Sequence, residues 1–250
     1  IQLTDREKSS IVNLFLTEIS RSEQVQRFYD RVKYHNNIDN NGRRMYPIFF
    51  TPPYNEGRKL KTILNQTPKT HILSANMYEL EILRLLYKFA PTNDIVLNMI
   101  HVTLKRLKTT CFGYCDDSIG ECFDTSLIVL RFISLVAPQE TKWIQERINN
   151  FNRHENEKIR PWFAVWYLWL CLSEMPYDIA KSEIEKYKNE MINRLCKKSL
   201  VMNSEHDKTI HPVLISILRN NIAKYPEYEY IKDRQPYISE KDGRLYFDMR

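Results

Sequence analysis

The chain has 250 residues, of which 43% are hydrophobic, so there is enough apolar side chain to bury a sizeable core and we do not expect disorder. The presence of only five glycines argues against turn-dense β-sandwiches and against glycine-rich nucleotide-binding loops. The net charge of +6 is the small difference between 37 basic and 31 acidic residues, and its basic clusters, at 43–44, 58–61 and 105–108, are short. We interpret these clusters as solvent-exposed faces and do not expect a nucleic acid as the partner.

The cysteine spacing and the longest apolar run indicate the cellular location of the protein. Five cysteines without close regular pairing favour a reducing compartment, so we predict a cytoplasmic protein. The longest apolar run, from Trp162 to Leu172, is shorter than the roughly 18 to 20 residues that a membrane-spanning helix needs. The sequence therefore predicts no membrane span.

The first 73 residues predict a helical hairpin followed by a long irregular segment. Apolar residues at helical spacing are Ile11, Leu14 and Phe15, followed by Val25, Phe28, Tyr29 and Val32. The stretch 36–73 carries Pro52-Pro53 and several aromatic residues, and we expect it to pack over the helices. It is either a functional lid or a structural brace.

Three proline-containing corners mark an internal repeat. Ala90-Pro91, Ala137-Pro138 and Met175-Pro176 lie 47 and 38 residues apart, a typical period for two helices and a loop. We expect each proline in the first turn of the helix that follows it. The helices before the corners are apolar nearly all round and are predicted to form a buried inner layer: Ile82, Leu83, Leu85, Leu86 and Phe89; Val129, Leu130, Phe132, Ile133 and Val136; Tyr167, Leu168, Leu170 and Cys171.

The helices after the corners are striped and are predicted to form an outer layer. Their predicted core residues are Ile95, Met99 and Ile100; Ile144, Ile148 and Phe151; Ile184, Tyr187, Met191 and Leu195. Pro212 is expected to open one more helix, and the tail 228–250 to pack as a strap or short turn. The predicted fold class is thus all-α, a single domain over residues 1–250 of stacked helical hairpins that form an α/α superhelix or partial toroid.

One region resembles the α/α toroids of the terpenoid cyclase and protein prenyltransferase superfamily. The residues that carry the resemblance run from Leu107 to Leu130, where CFGYCDD from Cys111 precedes FDTSLIVL from Phe123. Two later stretches, from Asn152 and from Val201, resemble the same pattern faintly, so that residues 76–221 are covered. The resemblance implies a toroid whose loops share one rim, although the Gly-Trp repeat and the aspartate-rich motif of the cyclases are absent.

Acidic residues on the first of these loops are the main candidates for chemistry. Asp116, Asp117 and Asp124 are predicted to be catalytic, because carboxylates crowded at an apolar pocket raise one another's pKa and can retain a proton. Tyr114 and Glu121 lie beside them and are predicted to bind the ligand. The structural alternative is that Asp124 is a helix cap and Asp117 accepts loop N–H groups.

Three further residues are predicted to bind a ligand. His206 and His211 lie near acidic residues on a later loop, with His211 just before the Pro212 helix, and Trp162 begins an aromatic run whose ring faces can stabilise a cation. We assign no metal site, and the sequence identifies no cofactor. The leading hypothesis is an α/α-hairpin protein that binds an apolar or cationic small molecule. Whether it also transforms this molecule is left open. The second hypothesis is a helical-repeat module that binds a protein partner without catalysis.

Overall fold

A computed structural model of the chain describes most residues outside the longer loops. The described residues are 3–32, 46–53, 60–68, 70–109, 121–155, 165–197, 199–201, 203–232 and 239–246. This part of the chain is mainly helical, which confirms the predicted all-α class. It forms two compact units, Ile1–Thr62 with Gln66–Trp162, and Ile63–Asn65 with Phe163–Arg250.

The first unit contains six helices. They are α1 (Asp5–Thr17), α2 (Ser22–Val32), α3 (His71–Phe89), α4 (Asp94–Thr109), α5 (Glu121–Val136) and α6 (Thr141–Glu155). The inner helices α3 and α5 pack directly against each other, α4 packs on α3, and α6 packs on α5. The predicted stacking of inner helices is therefore present between these two hairpins, and α1 adds a further helix against α3.

The inner helices bury most of the residues predicted for them. Leu83 and Leu86 of α3 and Phe132 and Ile133 of α5 are completely buried. Leu85 is 39% exposed, so the prediction that it belongs to the buried inner layer is wrong. A helix packed on only part of its circumference keeps one exposed face.

The outer helix α4 differs from its predicted stripe by one residue. Val96, Met99 and Ile100 are buried, whereas Ile95, predicted as core, is 54% exposed. Helix α1 also differs from its prediction, because Val12 is buried and the predicted core residue Leu14 is 58% exposed. In α6 the predicted residues Ile144 and Ile148 are buried.

The first two corner prolines do not lie in the first turn of the following helix, where they were predicted. Pro91 and Pro138 lie in turns, and the following helices begin three residues later, at Asp94 and Thr141. The N-terminus of α4 is capped by Asn93, whose Oδ1 accepts from the backbone N–H groups of residues 95 and 96 at 3.0 and 3.2 Å. Asparagine is a strong helix cap, so it and not the proline sets the start of the helix.

The second unit repeats the hairpin design. It contains α7 (Val165–Glu174), α8 (Tyr177–Leu195), α9 (Glu205–Ile222) and a short 3-10 helix (Pro226–Ile231). Helix α9 packs on both α7 and α8. The buried Asn221 amide of α9 donates to the Trp169 carbonyl of α7 at 2.8 Å, which joins these helices through a polar contact within the core.

Helix α9 begins earlier than predicted. A capping box at Ser204 and Asp207 starts it, with the Ser204 hydroxyl accepting from the Asp207 N–H and the Asp207 carboxylate accepting from the Ser204 N–H. Pro212 therefore lies inside the helix instead of opening it. Because proline has no N–H, one bond of the helical ladder is missing at this point.

The described tail residues 239–246 form two strands of a small sheet, whereas a strap or short turn was predicted. Strands β1 (Ser199–Val201), β2 (Ser239–Lys241) and β3 (Arg244–Tyr246) pair antiparallel in the order β1-β3-β2. Ser199 lies opposite Tyr246, and Lys241 lies opposite Arg244. The β2–β3 turn has positive φ at both Asp242 and Gly243, the geometry in which an Asp-Gly pair closes a two-residue hairpin.

Lys224 and Tyr225 attach the end of α9 to the other helices of this unit. The Lys224 ammonium donates to the carbonyls of Met175 and Ser173 at 2.6 and 3.1 Å, and its burial lowers the pKa of that ammonium. The Tyr225 hydroxyl donates to the Glu185 carboxylate at 2.5 Å. Burial, followed by this hydrogen bond, raises the pKa of Tyr225 well above its ordinary value, so the phenol remains the donor.

Candidate ligand-binding groove

The segment 46–53 is held against the helices by a buried carboxylate. Oε2 of Glu79, a fully buried residue of α3, accepts the backbone N–H groups of Ile48, Phe49 and Phe50 at 2.7, 2.6 and 3.2 Å. Three successive N–H groups directed at one oxygen form an anion-binding nest within the chain itself. The segment also buries the rings of Tyr46 and Phe50. It acts as the brace that was one of the two sequence-based interpretations.

The second oxygen of Glu79 is paired with Arg106 of α4. The distance from Arg106 Nη2 to Glu79 Oε1 is 3.1 Å, and Arg106 Nη1 donates to Asn76 Oδ1 at 2.8 Å. Arg106 is 7% exposed, so the prediction that the basic cluster at 105–108 is a solvated face is wrong at its central residue. A buried arginine requires a charged partner, and Glu79 supplies it.

Ser20, between α1 and α2, bonds the other end of the segment. The Ser20 N–H donates to the Phe49 carbonyl at 2.7 Å, and the Ser20 hydroxyl accepts from the Thr51 N–H at 2.9 Å. Pro52 and Pro53 follow directly, and neither has an N–H to pair. The segment is thus fixed to α3 by Glu79 and to the α1–α2 joint by Ser20.

This arrangement leaves a groove between α1, the segment and α3, which we call the α1–α3 groove. Its volume is about 520 Å³. Its lining is Leu14 and Phe15 of α1, Glu18 at the C-terminal cap of that helix, Gln24 of α2, residues 50–53, and Tyr78 and Ile82 of α3. Phe15 and Phe50 meet edge to face with ring centroids 6.5 Å apart. The lining is therefore mainly apolar and aromatic, with polar groups at only a few positions.

A second, polar hollow adjoins the groove at the α1–α2 joint. It has a volume of about 320 Å³ and shares Glu18 and Gln24 with the groove. Its other lining residues include Arg21, Glu23 and Arg27, and the Arg27 guanidinium lies 3.8 Å from the Glu23 carboxylate. Glu23 and Arg27 of this hollow are thus close to each other, and neither lines the groove.

Tyr78 and Glu18 are the ionisable residues of the groove lining. Burial raises the pKa of the Tyr78 phenol above its ordinary value, and the negative charge of Glu18 raises it further. The phenol is therefore protonated at neutral pH and can donate a hydrogen bond within the groove. The Glu18 carboxylate can accept one or pair with a cation.

No family model matches the chain, and no curated protein or solved structure matches it. None of the described helices is long and apolar enough to cross a membrane. Within the described ranges, no three His, Cys, Asp or Glu side chains are grouped so that they could hold a metal ion. The candidate site is therefore identified from the geometry of the structure alone.

Half of the sequence-predicted site residues lie wholly outside the described part of the chain. These are Tyr114, Asp116, Asp117 and Trp162. Glu121 and Asp124 belong to the backbone of α5 and His206 to that of α9, but their side chains are also outside the described part. The predicted catalytic role of Asp116, Asp117 and Asp124 accordingly stays a prediction.

His211 is the one predicted site residue whose side chain is described. It lies within α9, so the expectation that it precedes a helix is wrong. Its Nε2 is 3.9 Å from Oδ1 of Asp207, one turn earlier, and Asp207 is already engaged in the capping box of α9. This arrangement is a within-helix pair near the start of α9.

The aromatic run of α7 belongs to the core of the second unit. Tyr167 and Trp169 are buried, and Trp166 meets Trp169 edge to face at 4.8 Å. The guanidinium of Arg194 lies 5.4 Å from the Trp166 ring and 5.6 Å from the Trp169 ring. The cation over these rings is thus supplied by the chain itself.

Proposed function

We propose that the chain is a ligand-binding α/α-hairpin protein and that the α1–α3 groove binds an apolar small molecule. The observation that carries this proposal is the apolar groove whose wall, residues 46–53, is fixed by the buried Glu79 carboxylate. Ligand sites are typically concave, mainly apolar hollows with a few placed polar groups. The groove has this character, and its volume lies within the usual range of roughly 300 to 1,000 Å³.

The fixed wall favours binding because its ordering is part of folding. A flexible loop would lose conformational freedom on binding, and this loss would subtract from the affinity. Here the backbone N–H groups of residues 48–50 are already bonded to Glu79, and Thr51 is bonded to Ser20. The aromatic and proline side chains of the wall are therefore held in position before a ligand arrives.

We further propose that the hairpins belong to an α/α superhelix or partial toroid, similar to the terpenoid cyclase-like proteins. The support is the direct packing of one inner helix on the next in the first unit, α3 on α5. A cytoplasmic location is proposed on the irregular cysteine spacing.

A substitution of Leu14 tests the groove. We expect Leu14→Gln to weaken binding of the neutral fluorophore N-phenyl-1-naphthylamine by about fivefold, because a leucine side chain contributes on the order of 1 kcal/mol when a ligand covers it partly. Leu14 is exposed, so folding should be unaffected. The measurement is a fluorescence titration of each variant.

Leu97→Gln is the matched control for that titration. Leu97 is another exposed helical leucine, at 40% against 58% for Leu14, but it lies on α4 and does not line the groove. Its variant should bind the fluorophore as the unchanged protein does. Equal weakening by both substitutions, or by neither, would show that the fluorophore binds elsewhere and would overturn the proposed site.

The second candidate function is a helical-repeat module that binds a protein partner. One observation favours it: Leu85 is 39% exposed and follows Tyr78 and Ile82 on the same face of α3, so the apolar surface continues beyond the groove. A bound peptide could cover Leu85, whereas a small molecule confined to the groove would not. If Leu85→Gln abolishes retention of a protein that co-purifies with the chain and leaves fluorophore binding unchanged, this second function is the correct one.

A further inference from the structure

The charge within the α1–α3 groove has one sign. Of the residues that line it, Glu18 carries the formal charge, while the others are apolar, aromatic or neutral and polar. Arg21 and Arg27 line the adjoining polar hollow instead, where Arg27 lies beside Glu23. A ligand in the groove therefore meets a carboxylate at one side and apolar or aromatic side chains elsewhere.

The aromatic residues add to the same preference. Phe15, Phe50 and Tyr78 line the groove together with Glu18. The face of an aromatic ring attracts a cation, and the attraction is stronger where water is partly excluded. The Glu18 carboxylate also acts on Tyr78, because its negative charge raises the pKa of that phenol. An anionic ligand would be repelled by this carboxylate and would find no cation among the lining residues.

From this arrangement we infer that the ligand of the α1–α3 groove is an amphiphilic cation, an alkyl or aryl group that carries an ammonium nitrogen, with Glu18 as its counter-ion. The inference rests on the proposed function and adds the charge of the ligand to it. The apolar part would contact Leu14, Ile82 and the proline wall, and the nitrogen would lie between Glu18 and the aromatic rings. Primary and quaternary ammonium groups share this chemistry.

A matched pair of probes tests the charge. The cation is 3-phenylpropyl-trimethylammonium, and its neutral isostere has a carbon atom in place of the quaternary nitrogen. We expect the unchanged protein to bind the cation about five- to tenfold more tightly than the isostere, from one exposed ion pair and one cation–π contact. Affinities are measured by NMR or calorimetric titration, and the preference should shrink at high salt.

Two charge-removing variants locate the preference. Glu18→Gln should reduce the preference to the roughly two- to fourfold that one exposed cation–π contact supplies, while it retains the affinity for the neutral isostere. Glu23→Gln removes another exposed carboxylate, which belongs to the adjoining hollow and does not line the groove, and it should keep most of the preference. If Glu23→Gln removes as much of the preference as Glu18→Gln does, the effect is a general acidic field and the assignment of Glu18 as counter-ion is wrong.

The remaining outcomes separate this inference from the proposed function. If both probes bind equally to the unchanged protein and Leu14→Gln weakens both, the groove binds apolar molecules and only the cationic ligand is refuted. If neither probe binds, or if both bind without any effect of Leu14→Gln, the groove is not the ligand site and both proposals fail.

Discussion

Replacing Glu79 with glutamine is expected to lower the free energy of unfolding by about 3 to 5 kcal/mol, the usual loss when one partner of a buried ion pair is removed. The variant keeps the shape of the side chain but leaves the Arg106 guanidinium buried without its counter-charge. It also weakens three backbone hydrogen bonds to residues 48–50. Urea unfolding followed by far-ultraviolet circular dichroism measures the loss.

The control for this variant is Glu140→Gln. Glu140 also pairs with a basic residue of α4, Lys108, but the ammonium of that pair is 39% exposed. An exposed ion pair contributes about 0 to 1 kcal/mol, so this variant should be close to the unchanged protein in stability. Similar losses in the two variants would contradict the central role that we assign to Glu79.

Hydrogen exchange gives a second measurement for Glu79→Gln. The amides of Ile48, Phe49 and Phe50 should lose protection more than those of α5, because they are bonded to Glu79 itself. Binding of the fluorophore should weaken in parallel, since the segment forms one wall of the groove. Unchanged protection of the three amides would show that the segment is held by its buried aromatic rings and not by the carboxylate.

Replacing Trp169 with alanine is expected to lower the free energy of unfolding by about 3 to 5 kcal/mol, because the large cavity left behind can collapse only partly. The Trp169 side chain is completely buried in the second unit. Its ring meets those of Trp166 and Tyr187 edge to face, at 4.8 and 5.7 Å between centroids. The measurement is again urea unfolding followed by circular dichroism.

Trp166→Ala is the matched control for Trp169→Ala. Trp166 lies on the same helix, and like Trp169 it has the Arg194 guanidinium over its ring. It is only half-buried, however. Its replacement should therefore cost clearly less, since less apolar area is removed from water in the folded state. Equal losses for the two variants would mean that the α7 aromatic run contributes through local contacts between its rings and not through burial.

The inner helices could be predicted from the sequence because burial on several sides demands apolar residues nearly all round a helix. This requirement marks α5 and α7 clearly, and Val129, Phe132, Leu168 and Cys171 are all buried as predicted. The buried residues of α1 and α4 were predicted less accurately. Adjacent residues such as 95 and 96 lie about 100° apart around a helix, and the neighbours that decide which of them is buried are distant in sequence.

Two local signals in the sequence indicate structural features that hydrophobic periodicity does not. Ser204 and Asp207 have the spacing of a capping box, which predicts the start of α9 near 205 in spite of Pro212. Asp242-Gly243 is a strong hairpin signal between two short strands. Both depend on hydrogen bonds or dihedral angles within four residues, so they could have been found without the structure.

The candidate groove could not have been found in this way. Glu18, Thr51 and Tyr78 are separated by about 30 residues at each step, and no local pattern brings them together. Glu79 is visible in the sequence as a carboxylate within a mainly apolar helix, a sign of a buried charge that requires a partner. Its partner, Arg106, lies in a basic cluster that resembles an exposed face.

The sequence alone determined the helical class, the positions of the hairpin corners and most of the residues on the buried faces of the inner helices. These follow from periodicity and local chain chemistry, which act over a few residues. Only the tertiary structure decided that Glu79 holds the segment 46–53, that Arg106 is buried, and that a groove opens beside Glu18 and Tyr78. Each of these features requires groups far apart in the chain to meet at hydrogen-bonding or van der Waals distance, and only the packing of whole helices sets such distances.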